Sequence, residues 1–357
     1  MPSLFDPLTL RGVTLKNRIG VSPMCQYWAE DGMPSDWHLV HLGARAVGGA
    51  GLVIAEATAV EARGRITPGC TGIWSDAHIE PWARVAKFVN EYGAVAGIQI
   101  GHAGRKANTL QPWLRGDHDT PTGDPTWDVV GPSAIPFRDG SNLPREMTID
   151  DIRTIQSEFR ASTIRAQKAG FRFLELHGAH GYLMHSFHSP LSNRRSDEYG
   201  GSFENRTRFT LETTRIVREV WPHDLPLAVR LSCTDWVEGG WTLDDSIALA
   251  KLLKEEGVDI IDCSSGFGAS GVRYPVGPGW QVPLSDRLKR EAEIPTMTVG
   301  AISEATHAEE IIHNGRADIV LLAREYLRDP YWPFHAARSL GKPNALTLPE
   351  PYDYAVR

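Results

Sequence analysis

The feature that most constrains this chain is an alternation repeated eight times, a short β-rich run followed by a stretch of helical periodicity. The runs are "RIGVSPM" (18–24), "LVIAEAT" (52–58), "VAGIQIGH" (95–102), "FLELHGAH" (173–180), "PLAVRLSCTD" (226–235), "DIIDCSSG" (259–266), "PTMTVGAI" (295–302) and "DIVLLARE" (318–325). Strands joined by a crossover helix pair in parallel. In "LDDSIALAKLLKEEG" the apolar residues Leu243, Ile247, Ala250 and Leu253 recur at steps of four and three, with Thr242 at the N-cap and Gly257 as the stop. In "NRTRFTLETTRIVREVW" Phe209, Ile216, Val217 and Val220 form the same kind of stripe. Eight such units in series predict an α/β fold, a (β/α)8 TIM barrel, with a doubly wound sheet as the alternative.

A chain of 357 residues exceeds the usual domain size, but α/β barrels reach this length as one unit, so a single domain over 1–357 is expected. The long irregular connection at 107–147, rich in Pro, Gly, Asp and Trp, leaves the third strand as a capping segment, and 342–357 reads as a C-terminal tail. A net charge of -7 argues against nucleic acid or an anionic membrane surface as partner. No apolar run has membrane-spanning length, and "MPSLFDPLTL" lacks the regions of a signal peptide. Cys25, Cys70, Cys233 and Cys263 are scattered with no CxxC pair, which predicts reduced thiols in a cytoplasmic protein and neither a zinc knuckle nor an iron–sulfur cluster.

A barrel of this kind carries its chemistry at the carboxyl ends of its strands. Alternation along a strand then separates packing from chemistry. Ile98 and Ile100 share one face of "GIQIG" and Gln99 the other; Leu227, Val229 and Leu231 alternate with Ala228, Arg230 and Ser232. With the aliphatic faces on the helices, Gln99 and Arg230 point into the barrel among small neighbours, either as ligand contacts or as a buried polar plug. Gly300 lies near the end of the seventh run and Arg324 near the end of the eighth, where such barrels bind phosphate. The segment "LELHGAHGYLMHSFHSP" (174–190) holds four histidines, His177, His180, His185 and His188, suited to metal ligation, proton transfer or hydrogen bonding to a developing anion. A zinc site would want a third ligand, and none sits in a recognised spacing. "GFGASG" (266–271) satisfies GxGxxG, yet Pro275 and Pro278 follow where the nucleotide-binding helix should open, so it is expected to be an active-site loop.

Four motifs together, "SPMCQY" (22–27), "GIQIGHAGRKA" (97–107), "ELHGAHGYL" (175–183) and "SPLSNRRSDEYGGSFENRTRF" (189–209), resemble the old yellow enzyme family of flavin-dependent ene-reductases, in its bacterial xenobiotic reductase and thermophilic-like branch. The resemblance runs from "SLFDPLTLRGVTLKNRI" (3–19) to "LLAREYLRDP" (321–330). It implies a barrel holding FMN non-covalently and a transient NAD(P)H, NADPH favoured, as reductant. It implies reduction of the activated C=C bond of enones, enals, maleimides or nitroalkenes, in a homodimer or homotetramer. By that resemblance Ser22, Pro23, Met24 and Cys25 line the flavin edge, Ala57 closes on the ring, Gln99 meets the pyrimidine part and Arg230 the N1 and C2-carbonyl region. Gly300, Ala323 and Arg324 would hold the phosphate, Ala323 standing where many relatives have Gly. His177 and His180 would bind the substrate oxygen, Tyr182 would protonate Cα, and Tyr27 and Lys106 would line the pocket, with His185 and His188 outside it. In that branch a C-terminal arginine enters a neighbour's site; Arg357 is the one candidate in "PYDYAVR", its offset from Tyr354 departs from the branch's pattern, and a frayed tail is the alternative. A flavin barrel of the dienoyl-CoA reductase or amine dehydrogenase type would need a cysteine cluster and extra length that are missing. A non-enzymatic flavin-binding protein would have no use for the polar groups at 177, 180 and 182.

Overall fold

The eight runs close into one parallel barrel in sequence order, in a computed structural model that describes residues 1–115 and 120–356. Its strands are β1 (Ile19–Val21), β2 (Leu52–Ala59), β3 (Val95–Gly101), β4 (Phe173–Gly178), β5 (Leu227–Ser232), β6 (Ile260–Ser264), β7 (Thr296–Thr298) and β8 (Ile319–Leu322). Around them run α1 (Asp36–Val47), α2 (Ile79–Glu91), α3 (Ile149–Lys168), α4 (Phe203–Val220), α5 (Leu243–Glu255), α6 (Val282–Ala292), α7 (Ala305–His313) and α8 (Trp332–Ser339). Sequence order around the ring is what short right-handed βαβ crossovers produce.

Side-chain parity sorts the core in two. Ile98, Ile100, Leu174, Leu176, Leu227, Val229 and Leu231 pack outward with the helices. Leu52, Ile54, Phe173, Ala228, Ile260, Met297, Ile319 and Leu321 fill the barrel's lower interior. An antiparallel pair at the N-terminus, Leu8–Leu10 with Val13–Leu15, closes that end by inserting Leu10, Val13 and Leu15 into the same cluster. Above this apolar layer the inward positions turn polar.

Helix α5 starts at Leu243 with the Thr242 hydroxyl accepting from Asp245 N–H and Asp245 reaching back, a reciprocal cap of the expected kind. Helix α4 departs from the stripe read in the sequence. Phe209 and Val217 are buried, but Ile216 and Val220 are half-buried, and Thr207, Thr210, Thr213 and Thr214 complete the inner face. Threonine can take that place because its hydroxyl returns to a carbonyl one turn back: Thr207 to Phe203 O at 2.9 Å and Thr213 to Phe209 O at 2.6 Å. The C-terminal tail contains a further helix, Glu350–Val356, with Pro351 in its first turn, where a missing N–H costs nothing.

Of the capping segment 107–147, the described part carries a short helix, Pro112–Arg115, and pairs Val130–Gly131 with Arg145–Glu146. Arg195 pins it, donating to Pro132 O at 3.0 Å and Met147 O at 2.6 Å, while Ser133 Oγ accepts Arg194 N–H at 2.8 Å. Part of "SNRRSDEYGG" is therefore a fastener for this wall. Among the described residues no helix is long and apolar enough to cross a membrane.

Candidate active site

The carboxyl ends of β1 to β5 bring the resemblance residues to one mouth. β1 delivers Ser22, Pro23, Met24 and Cys25, and the chain then turns at Tyr27, which takes a left-handed backbone (φ 52°). β2 carries a bulge: its register with β3 slips between Ala55 and Thr58, which leaves Glu56 and Ala57 against Gln99 alone. Ala57 thereby reaches the rim of a cavity lined also by Cys70, Gly101, Ala103, His177 and Tyr182. Glu56 turns beneath the β1 loop instead, accepting Gln26 N–H at 3.0 Å and facing His38 Nε2 at 3.2 Å. Cys25, Tyr27 and Tyr182 pack on one apolar cluster with Ile66, Cys70, Ala103, Ala107 and Val129. Burial pushes the Cys25 thiol well above its ordinary value, with Cys70 and Glu56 adding to the rise. Burial likewise raises Tyr27, Cys25 and Tyr182 contributing.

One layer down, Gln99 Nε2 donates to Glu175 Oε1 at 2.7 Å. Arg230 spans the barrel, with Nε 3.2 Å from Asp262 Oδ2 and Nη1 donating to Ser22 Oγ at 3.2 Å. All five are buried, and among the described residues Arg230 is the cation the two carboxyls meet. Burial pushes Glu175 up, and Asp262 adds to it; burial also raises Asp262, Arg230 opposing. Gln99 and Arg230 therefore both have side-chain partners within the protein. The Gln99 amide nitrogen is committed, so its oxygen is turned elsewhere. Glu175 and Asp262 escaped the sequence reading although they share the inward parity of His177 and Ser264.

The histidine pair forms where β4 ends. His177 is the last inward side chain, and its register partner is Arg230. His180 then adopts φ 60° and Gly181 φ 74°, and this left-handed step turns the second imidazole back towards the first. The bend thus sits at His180 and Gly181, whereas Gly178 keeps an extended backbone and is needed for close approach, since a Cβ there would lie 2.9 Å from Arg230 O. The rings stand edge to face with centroids 5.1 Å apart, and Tyr182 lies 4.9 Å from His177. Burial, with Arg230 next, holds both imidazoles well below the usual histidine range. Each ring is therefore neutral and has one N–H. His177 Nδ1 accepts Ala179 N–H at 3.3 Å, and His180 Nε2 meets Ser264 Oγ at 2.7 Å. Lys106 reaches His180 O at 3.3 Å.

His185 and His188 lie outside this mouth, satisfied locally as expected. His185 accepts Gly181 N–H at 2.8 Å and faces Asp235 at 3.0 Å; His188 Nε2 meets Thr210 Oγ1 at 2.6 Å. "GFGASG" opens no helix: the chain runs irregularly to Val282, and Phe267 stands 5.7 Å from the His180 ring. Arg105, which sequence reasoning passed over, ties this loop down through Gly268 O at 2.6 Å.

At the β7 and β8 ends, Gly300 has φ 136°, and a Cβ there would come within 3.2 Å of Trp280 and Gln281. Ala323 is half-buried and Arg324 exposed, and Arg324 opens the short helix Arg324–Arg328. Among the described residues Arg324 has no protein partner for its guanidinium. An elongated phosphate ester with a flat polar ring fits this set: a cation and orienting amide under one end, a backbone cradle and exposed arginine at the other. Arg357 lies outside the described residues.

Three kinds of comparison bear on the site. A family model described as the NADH:flavin oxidoreductase / NADH oxidase family matches residues 3–342. The chain is 50% identical over 340 residues to an NADPH dehydrogenase of Geobacillus sp. (strain WCH70), spanning 95% of this chain and 94% of that one. It is 44% identical to an NADPH dehydrogenase of Bacillus subtilis (strain 168), spanning 98% of each. Morphinone reductase in complex with tetrahydroNAD superposes with a TM-score of 0.78 at 27% identity, over 99% of this chain and 94% of that one. A 2-naphthoyl-CoA reductase superposes with a TM-score of 0.86 at 27% identity, over 97% of this chain, which spans only 53% of that protein.

Proposed function

The chain belongs to the NADH:flavin oxidoreductase / NADH oxidase family and is an FMN-dependent NAD(P)H oxidoreductase; from that premise we propose that it is an ene-reductase acting on enones, enals, maleimides and nitroalkenes. When bound, FMN would supply the hydride-transfer chemistry between NAD(P)H and the alkene Cβ. The observation that carries the reading is the pair of neutral imidazoles, each with one ring nitrogen engaged by the protein and one without a protein partner among the described residues, edge to face beside a tyrosine.

In this reading His177 and His180 each give one N–H to the carbonyl or nitro oxygen, which stabilises the negative charge that grows there as Cβ is attacked. Tyr182 protonates Cα, and Tyr27 and Lys106 line the pocket. Arg230, held by Asp262 and Ser22, offers a fixed cation to the pyrimidine end of the cofactor, and Gln99, oriented by Glu175, offers its amide oxygen. Ser22, Pro23, Met24 and Cys25 line the ring edge, Ala57 closes on the ring, and Gly300, Ala323 and Arg324 take the phosphate. The single barrel over 1–357, with 107–147 as its capping wall, needs no separate nicotinamide domain because reductant and alkene use one place in turn. The names of the NADPH dehydrogenase relatives support NADPH as the reductant.

The test is anaerobic. The purified yellow protein releases FMN on denaturation, bleaches with NADPH, and recovers its colour with cyclohexenone. Exhaustive chelation leaves turnover intact. Bleaching without recovery on any activated alkene defeats the ene-reductase reading, and loss on chelation that zinc reverses would reassign the histidine pair to a metal.

A further inference from the structure

We propose that Ser264 is a positioning residue that fixes the tautomer of His180, so that Nδ1 carries the proton and presents it to the substrate oxygen. The proposal deepens the ene-reductase reading and rests on it for its kinetic consequence.

The direction of the Ser264 hydroxyl follows from its neighbours. Ser264 Oγ lies 2.7 Å from His180 Nε2 but 3.4 Å from Gln281 Oε1. Gln281 is itself oriented: its Nε2 donates to Val299 O at 3.1 Å, and its Oε1 accepts the Ser265 hydroxyl at 2.7 Å. The Gln281 oxygen thus has a short donor already, and 3.4 Å is near the limit for an O–H donor, whereas 2.7 Å is the usual length. The hydroxyl proton of Ser264 therefore goes to His180 Nε2, which must then be the unprotonated nitrogen.

The backbone of His180 is held as firmly. Its N–H donates to Ser232 Oγ at 2.9 Å, and that hydroxyl donates onward to Gly266 O at 2.8 Å. Ser232 and Ser264 are register partners at the ends of β5 and β6, both buried, so two adjacent strands hold His180, one by its backbone and one by its ring. A neutral imidazole with a bare Nε2 has its proton on Nδ1, which has no protein partner among the described residues. His177 is set the other way round, with Nδ1 accepting Ala179 N–H and the proton on Nε2. The pair therefore presents one Nε2–H and one Nδ1–H. The opposite tautomer of His180 would aim a lone pair at the substrate oxygen, turning attraction into repulsion.

The test begins with the holoenzyme carrying ¹⁵N-labelled histidine imidazoles, with His180 assigned by its loss in His180→Gln. Nitrogen spectroscopy at neutral pH is expected to show a protonated Nδ1 and a bare Nε2 at His180. A protonated Nε2 with a bare Nδ1 in the wild type overturns the proposal without any variant being needed. Ser264→Ala is expected to yield a mixture of tautomers, to slow reoxidation by cyclohexenone about tenfold, as for one weakened hydrogen bond, and to leave bleaching by NADPH and FMN affinity within about twofold. Ser264→Thr keeps the hydroxyl and restores tautomer and rate. An Ala variant that retains the wild-type tautomer and reoxidation rate also overturns the proposal. If the wild type bleaches but no alkene restores its colour, the ene-reductase reading fails, while the nitrogen spectrum still decides the role of Ser264.

Discussion

At the scale of single residues, Tyr182 and Cys25 show how much of a role can be argued from place. Tyr182 caps the short helix Leu183–His188 and packs against His177, with the Lys106 ammonium 5.5 Å above its ring. Tyr182→Phe keeps that packing and removes the acidic proton, so bleaching by NADPH should hardly change, and reoxidation by cyclohexenone should slow by roughly 10²-fold or more. Nitroalkenes should suffer less, because a nitronate is stable enough to leave and take its proton from water. Wild-type reoxidation in Tyr182→Phe together with a slow Tyr27→Phe would move the donor to Tyr27. Cys25 is held as a thiol by burial, and only a thiolate is a strong nucleophile. Cys25→Ser should therefore shift the flavin reduction potential and half-reaction rates modestly while turnover continues; complete inactivation or a covalent substrate adduct at Cys25 would refute this. Motif and parity agreed on the inward direction of Gln99 and Arg230, and the His177–His180 pairing at the mouth could be read from its motif. Ser264, Glu56 and Asp235 were not legible, because serine and carboxylate at a strand end carry no signal until the partner strand supplies the other half of the hydrogen bond.

At the scale of elements, the loop after β4 must hold two left-handed residues, His180 and Gly181, against the preference of the first for φ below zero. The strap is a buried chain: Gly181 N–H to His185 Nδ1, His185 Nε2 to Asp235 Oδ1, and Asp235 Oδ2 accepting from Ser189 Oγ at 2.6 Å and Trp241 N–H at 2.8 Å. It joins the loop after β4 to the loop after β5. Burial alone would raise the Asp235 carboxyl, but His185, Ser189 and the Trp241 amide outweigh it and hold it at about 2. A depressed carboxyl stabilises the fold above its unfolded value of about 3.9, and that stability is lost as the pH falls from there towards 2. Asp235→Asn should lower stability by about 3–5 kcal/mol at neutral pH, the range for breaking a buried pair. Thermal melts between about pH 4 and 2 should then fall less steeply for the variant than for the wild type; equal slopes would show that Asp235 does not carry the acid sensitivity. The eight strands and their order were legible from spacing alone, since a βαβ unit leaves few alternatives. The bulge at Glu56 and Ala57 and the threonine face of α4 were not, because both depend on what lies opposite: a ladder that slips, and carbonyls that accept hydroxyls.

At the scale of the whole molecule, the barrel has two ends with different duties, and they can be separated by experiment. The amino-terminal end is shut by Leu10, Val13 and Leu15 against Leu52, Ile54 and Phe173, all apolar. The carboxyl end carries His177, Arg230 and the polar layer between them. Conservation of volume matters at the first and charge placement at the second, so a substitution should disturb one property without the other. Leu15→Ala leaves a cavity in the plug and should cost about 2–5 kcal/mol of stability. It lies at the far end of the barrel from the candidate site, so FMN content per chain and the rate of bleaching by NADPH should stay within about twofold. His177→Ala should do the reverse, with a smaller change in melting temperature and reoxidation by cyclohexenone slowed by roughly 10²-fold or more, in the range for removing one oxyanion donor. Free FMN at about 100 times its Kd should add about 2.7 kcal/mol to either variant, because a ligand that binds only the folded state stabilises by mass action whatever the starting stability. The loss from Leu15→Ala and the gain from FMN should then sum, as they do for sites that share no partners. A shortfall in that sum, measured by melts with and without excess FMN, would mean that the plug and the mouth are coupled through the polar layer, and the two-ended description would have to be given up.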